Sequence, residues 1–136
     1  MFEVTLLPIL IAAIVNVVLG MIWYHPKVFG TAWMACLGLT PDQKEAGKKR
    51  MWISTAVAFV AAMVVAYVMN YFGIAWGVFD WIGAIELGFW CWVGFAAPAM
   101  LGMVLWEQKP FKYFAIVSGY WLVSFISIAV ILVLAA

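Results

Sequence analysis

The sequence predicts an all-α integral membrane protein, a four-helix transmembrane bundle with up-down topology. Of the 136 residues, 69% are hydrophobic and only 10% are charged, whereas a soluble domain carries roughly a quarter charged residues. Four apolar runs are each long enough to cross a bilayer, which takes about 20 residues as a helix. The length allows a single domain, residues 1–136, and no second module.

The four predicted spans cover residues 4–24, 51–72, 81–106 and 111–134. The first span is expected to remain in the protein, because no Lys or Arg precedes it and its apolar run is longer than that of a signal peptide. The connections after the second and third spans are short, so consecutive helices are expected to be antiparallel neighbours.

All basic residues of the chain lie in or beside two of the connections. They are Lys27, Lys44, Lys48, Lys49, Arg50, Lys109 and Lys112. Loops rich in Lys and Arg stay on the cytoplasmic side of a membrane. Both termini and the 73–80 connection are therefore expected to face the exterior or the periplasm.

Local signals predict where the helices begin and end. Residues 40–43, TPDQ, have the pattern of a capping box with proline at the first helical position. The second helix is therefore predicted to begin near Pro41, before the membrane, and to run on through Arg50. Asp80 is predicted to cap the third helix, Gly73 to end the second, and Pro110 to open the fourth.

The first connection is predicted to contain a short interfacial helix over residues 27–37. The first span should stop near Tyr24 or His25, because a residue before proline avoids the helical conformation. Beyond Pro26, Phe29 and Trp33 recur at helical spacing and would place one apolar side on the membrane surface. We interpret these rings as an aromatic belt with an interfacial anchor.

Residues 20–33, GMIWYHPKVFGTAW, carry the pattern G-x-x-W-Y-x-P-x-x-F-G-x-x-W. This pattern resembles the signature that closes the first helix in a family of small four-helix bacterial membrane proteins, the domain-of-unknown-function type DUF1761. Residues 92–98, WVGFAAP, and 118–120, SGY, are similar to weaker patterns in its third and fourth helices. The resemblance covers essentially the whole chain. It implies the four-helix fold and a bacterial or archaeal inner-membrane setting, and it supplies no catalytic residues.

The motif can be explained by folding alone. Its candidate interfacial residues are Gly20, Trp23, Tyr24, Pro26, Phe29, Gly30 and Trp33. Gly20 is expected to permit close helix approach, and Pro26 to force the exit turn. Trp23 and Tyr24 are expected at the depth of the lipid headgroups, and Gly30 is expected to permit an irregular or tight backbone before Trp33.

Small residues spaced along the spans predict a tightly packed bundle, because hydrophobic burial does not drive association in lipid. These residues are Ala12, Asn16 and Gly20, then Ala58, Ala62 and Ala66, then Ala84, Gly88, Gly94, Pro98 and Gly102. Pro98 is also predicted to kink the third helix, since it removes one hydrogen bond and crowds the preceding turn.

Glu86 is the one ionisable side chain well inside a predicted span. It lies six residues after Asp80, about 9 Å along the helix, where a carboxylate is costly and is a candidate functional group. The alternative is a structural Glu that bridges helices through Tyr67, Asn70 or Ser127. Asn16 is interpreted as a polar contact between helices, with a water-filled cleft joining Asn16, Tyr67 and Glu86 as the functional alternative.

The side-chain inventory favours no cofactor and no metal. A single histidine, His25, and two cysteines, Cys36 and Cys91, are too few for a zinc site, an iron–sulfur cluster or a bis-histidine haem within one chain. The near-neutral net charge of +1 argues against nucleic acid as a partner. No nucleotide-binding or hydrolase motif is present, so the protein is expected not to be an enzyme, and a membrane enzyme is the third and least favoured alternative.

Two hypotheses about function follow. The first is a structural or accessory membrane subunit that packs through its helix faces as a homo-oligomer or with a partner membrane protein. The second is a minimal proton-linked transporter or channel for a small or amphiphilic solute, in which Glu86 carries the proton or binds the solute. Both place the chain in the bilayer, with the inner membrane as the expected location.

Overall fold

The structure, a computed structural model, describes residues 6–135, and they form helices joined by short connections. The α-helices are α1 Leu6–Trp23, α2 Thr31–Leu37, α3 Pro41–Lys49, α4 Met51–Ala75, α5 Trp81–Cys91, α6 Ala97–Met100, α7 Gly102–Leu105 and α8 Phe111–Leu134. Helices α5 to α7 and the turn between α5 and α6 form one continuous third span, Trp81–Leu105. Four helices, α1, α4, the third span and α8, are long and apolar enough to cross a membrane. The predicted fold class is confirmed; the start predicted for the first span, at residue 4, lies outside the described residues.

Helix α8 lies at the centre of the bundle. It contacts α1, α4 and α5, and also the short helix α2, whereas the consecutive helices α4 and α5 touch little. Its buried side chains include Ile128 and Ser124, which are 1% and 0% exposed. Most of the surface of α4 remains uncovered. The bundle is therefore arranged around its last helix.

The tightest helix contact joins α5 to α8. A Cβ atom placed on Gly88 would lie 2.7 Å from the Cα of Ile126, so the two backbones approach as only glycine permits. Ala12, Ala66 and Ala84 are fully buried in the same core. The prediction of packing through small residues is confirmed there. It is wrong for a further set whose members are exposed: Ala58, Gly94 and Pro98.

The capping box before α3 is confirmed. The Thr40 amide donates to the Gln43 side chain at 2.8 Å, and the Gln43 amide donates to the Thr40 hydroxyl at 3.2 Å. The helix does not run on into the membrane, however, because Arg50 leaves the helical conformation and separates α3 from α4.

The end predicted for the second span was wrong by one short turn. Helix α4 continues past Gly73 to Ala75, and the left-handed glycine that ends it is Gly77, with φ of 67°. Beyond the turn, the Asp80 carboxylate accepts a hydrogen bond from the Gly83 amide at 2.8 Å. The predicted cap of the third span is therefore confirmed.

The connection after α1 is not one helix over 27–37. Residues Pro26–Gly30 form a single wide π-helical turn, and α2 begins only at Thr31. A second wide turn, Trp92–Ala96, interrupts the third span just before Pro98. The irregularity predicted at Pro98 is present, and it takes the form of a π-turn, a known cause of helix kinks. The third span ends at Leu105, one residue earlier than predicted.

Candidate functional site

Five aromatic rings gather where α1 ends. This aromatic cluster consists of Trp23, Tyr24, Phe29, Trp33 and Tyr120. Ring centroids lie 4.7 Å apart for Trp23 and Phe29, 4.8 Å for Tyr24 and Trp33, and 5.4 Å for Tyr24 and Tyr120. These separations are typical of favourable tilted aromatic contacts. Four of the rings come from the motif that follows Gly20, and the fifth comes from α8.

Trp23 ties the end of α1 to α8. Its indole N–H donates to the backbone carbonyl of Ile116 at 3.0 Å, and a Cβ atom on Gly119 would lie 3.3 Å from the ring. The indole is half-buried between these helices. The motif tryptophan therefore forms a contact between two spans.

The glycines of the motif make room for close contacts. A Cβ atom on Gly20 would lie 3.1 Å from the Tyr120 hydroxyl. One on Gly30 would lie 2.1 Å from the carbonyl oxygen of Tyr24, which no side chain can occupy. Gly30 has an ordinary helical φ of −61°, so it is space, and not backbone freedom, that requires glycine. The tight backbone predicted before Trp33 is confirmed.

The π-turn that contains Gly30 is held by short local hydrogen bonds. The Thr31 hydroxyl donates to the Pro26 carbonyl at 2.9 Å, and the Lys27 amide donates to Nδ1 of His25 at 3.1 Å. His25 thus caps the turn. This role was not foreseen, since the sequence indicated only that the first span stops near His25 and that His25 is the single histidine.

The third span joins the same region through Trp92. Its indole N–H donates to the backbone carbonyl of Ser118 at 2.7 Å, and the Ser118 hydroxyl turns back to the Phe114 carbonyl. Residues 20–33, 92–98 and 118–120, far apart in the sequence, therefore meet on α8. Two indole donors bond to carbonyls of α8 that lie two residues apart, at Ile116 and Ser118.

The family described as "Protein of unknown function (DUF1761)" matches residues 7–133. The chain belongs to the DUF1761 family. The match extends over all four spans. No curated protein and no solved structure matches the chain.

Asn16 lies in the centre of the bundle, only 4% exposed. Its backbone carbonyl accepts a hydrogen bond from the Tyr120 hydroxyl at 3.1 Å. Its side-chain oxygen and the hydroxyl of Ser124 are both buried and find no partner within the described part of the chain. Ser124 was missed by sequence reasoning, and Tyr120 was noted only as part of the 118–120 pattern, since a lone tyrosine or serine in an apolar run carries no periodic signal.

Tyr67 lies on the outer surface of α4, 45% exposed. Its hydroxyl donates to that of Tyr71 at 3.3 Å, and the two rings meet edge to face. Tyr71 is 50% exposed. The spacing of four residues on one helix could have indicated this pair. The proposed bridge from Glu86 to Tyr67 is absent from the described structure.

Glu86 also faces outward. Its side chain is exposed, and no residue of the described range 6–135 hydrogen-bonds to it. It lines an open groove of about 430 Å³ at the end of the bundle opposite the basic connections. The groove is lined by the turn after α4 and the first turns of α5, including Trp76, Phe79, Asp80, Glu86, Leu87 and Trp90.

The structure separates the three polar candidates. Asn16 is sealed in the core, whereas Tyr67 and Glu86 lie on outer surfaces. The functional alternative, one cleft that joins the three residues, does not fit this arrangement, because the apolar contacts of α1 with α4 and α8 surround Asn16. Within residues 6–135, no group of three or more His, Cys, Asp or Glu side chains is placed to hold a metal ion.

Proposed function

We propose that the chain is a structural or accessory membrane subunit that works by packing its outer helix faces against a second copy or a partner membrane protein. The observation that carries this proposal is the outward position of Glu86 on a span. An ionised carboxylate at the bilayer centre costs about 2.5 kcal/mol or more, and less towards the interface. A protein surface that supplies hydrogen-bond donors removes this cost.

The rest of the molecule supports assembly rather than catalysis. The aromatic cluster and the indole hydrogen bonds of Trp23 and Trp92 join α1 and the third span to α8. The free surfaces of α4 and α5 carry the exposed polar groups of the spans, among them Tyr67, Tyr71 and Glu86. These surfaces are where a second subunit would gain hydrogen bonds as well as packing.

We place the protein in the inner membrane of a bacterium or archaeon, with the basic connections in the cytoplasm. All seven Lys and Arg residues lie in or beside these connections, and the turn at residues 76–80 has none. The positive-inside rule then puts both termini and the Glu86 groove on the exterior side.

The test of the subunit proposal is the mass of the protein in native-lipid nanodiscs. Protein extracted without harsh detergent should contain more than one chain, either a defined homo-oligomer or a stoichiometric partner. Glu86→Leu should weaken the assembly, while Glu107→Leu, the same change in an exposed connection, should leave it intact. A stable, partner-free monomer that keeps its fold would contradict the proposal.

A proton-linked transporter or channel is the second candidate, and the groove that Glu86 lines favours it. In proteoliposomes loaded with a pH-sensitive dye, wild-type protein would then carry solute-dependent proton flux. Glu86→Gln would abolish this flux without loss of thermal stability, and Glu107→Gln would not. A Gln variant that keeps both its stability and its flux would end this candidate.

A further inference from the structure

Three residues with hydrogen-bonding side chains lie within about 6 Å of one another in depth on the outer surfaces of α4 and α5. Tyr71 and Tyr67 lie four and eight residues before the end of α4 at Ala75, about 6 and 12 Å along the helix. Glu86 lies five residues after the start of α5 at Trp81, about 8 Å from the same end of the bundle. Counted along the backbone, Glu86 therefore falls between Tyr71 and Tyr67 in depth.

The donors and acceptors on these surfaces are complementary but do not meet within one chain. Only one of the two tyrosine hydroxyl protons is used in the Tyr67–Tyr71 hydrogen bond, which leaves one donor free. The Glu86 carboxylate has acceptor positions and no partner among residues 6–135. In an apolar medium, each group left without a partner is costly.

We propose that Glu86 of one copy accepts a hydrogen bond from the Tyr67–Tyr71 pair of a second copy, so that the outer faces of α4 and α5 form the interface of a homo-oligomer. This inference rests on the proposed function and names its partner as the chain itself. The second copy brings the hydroxyl donors to the depth at which Glu86 lies. Apolar side chains around the contact complete the interface: Val64, Val68, Ile82 and Phe89 are exposed on the same helices.

A second copy, and not lipid, is favoured as the partner of this surface because the Glu86 carboxylate and the tyrosine hydroxyls complement each other as acceptor and donors. Lipid tails offer a carboxylate no hydrogen-bond donor, whereas the exposed face of α4 carries a tyrosine pair. A bond from a hydroxyl to a carboxylate is charge-assisted and about twice as strong as a neutral one. A single contact of this kind also fixes the register of two otherwise featureless apolar faces.

Disulfide cross-linking between two differently tagged copies tests the contact. In a background carrying Cys36→Ala and Cys91→Ala, one copy carries Val64→Cys and the other Trp90→Cys. Both side chains are exposed, at 58% and 61%, and they flank Tyr67 and Glu86 by one helical turn. The expected result is a cross-linked pair that carries both tags in native-lipid membranes.

Two variants, Glu86→Leu and the double change Tyr67→Phe with Tyr71→Phe, should each lower the yield of the cross-link. We expect each to weaken association about tenfold. The control pair places cysteine at Val18 of α1 in both copies, an exposed site outside the proposed interface, and should not cross-link.

The outcomes separate this inference from the subunit proposal. A homo-oligomer by mass that gives no 64–90 cross-link, or a cross-link that both variants leave unchanged, overturns the contact and leaves the subunit proposal standing. Recovery of a complex with a different protein, and not with a second copy, overturns the inference that the chain is its own partner. A monomer in native lipid overturns both proposals.

Discussion

The indole N–H of Trp23 donates to the backbone carbonyl of Ile116, 93 positions further along the chain, at 3.0 Å. This hydrogen bond locks the end of α1 onto the central helix α8. It accompanies the ring contacts of Trp23 with Phe29 and Tyr120. The Trp23 side chain therefore connects two spans within the bundle.

Trp23→Phe should destabilise the folded protein. Phenylalanine keeps an aromatic ring in the cluster but has no N–H group to donate to Ile116. Loss of the indole donor removes one hydrogen bond of net value about 0.5–1.5 kcal/mol. The free energy of unfolding, measured by denaturant titration in mixed micelles, should fall by about this amount. Trp52→Phe, at an exposed tryptophan, should have no measurable effect, and equal losses at both sites would contradict the role of Trp23.

Gly30→Ala should be more damaging than its small size suggests. The new methyl group would lie 2.1 Å from the Tyr24 carbonyl oxygen, so the π-turn must open and the rings of Tyr24 and Trp33 must move. We expect the free energy of unfolding to fall by about 1–3 kcal/mol, the usual cost of overpacking. The measurement is the thermal unfolding midpoint, which should be lower than that of the wild type.

The matched control for Gly30 is Gly47→Ala. Gly47 lies in the exposed helix α3 with open space around its Cα, so alanine there should be neutral or stabilising by up to about 1 kcal/mol. A Gly30→Ala protein as stable as the Gly47→Ala protein would show that the π-turn does not need glycine.

Gly88→Ala should separate α5 from α8. Its Cβ atom would lie 2.7 Å from a backbone atom of Ile126, and the backbone cannot yield as a flexible side chain can. We expect a loss of about 1–3 kcal/mol in unfolding free energy. Gly94→Ala is the control in the same span, since nothing lies within 4 Å of its added atom. Equal stability of the two variants would contradict the close approach.

The orientation can be tested by labelling single cysteines in intact cells. In the background without native cysteines, Lys48→Cys should resist a membrane-impermeant maleimide, because α3 is expected in the cytoplasm. Phe79→Cys, at a side chain 83% exposed in the turn near the groove, should be labelled. Labelling at residue 48 but not at residue 79 would contradict this orientation and indicate the opposite one.

Local signals in the sequence predicted local structure well. The capping box at Thr40 and the cap at Asp80 depend only on neighbours three residues away, so the pattern was sufficient. The end of α4 was predicted too early, at Gly73. Either Gly73 or Gly77 could end a helix by residue type, and only the structure shows that Gly77 is the one with a left-handed backbone conformation.

The arrangement of the spans could not be predicted in the same way. Each span is apolar on all sides, so its composition does not tell which face is buried. The meeting of Trp23, Trp92 and Tyr120 on or beside α8 depends on contacts between distant residues. The sequence identifies Glu86 as an ionisable side chain inside a span, but the direction in which it faces depends on the packing of α5 against α8.

In the proposed interface, a second copy of the chain covers the face that carries Glu86. Spin labels at Ile82→Cys, one turn from Glu86 and 53% exposed, report on this face, and the distance between them is measured in native-lipid nanodiscs. A covered face should give a short, narrow distance between copies that disappears on dilution with unlabelled protein and in Glu86→Leu. No dipolar coupling at residue 82, together with high accessibility of the label to oxygen dissolved in the lipid, would contradict it.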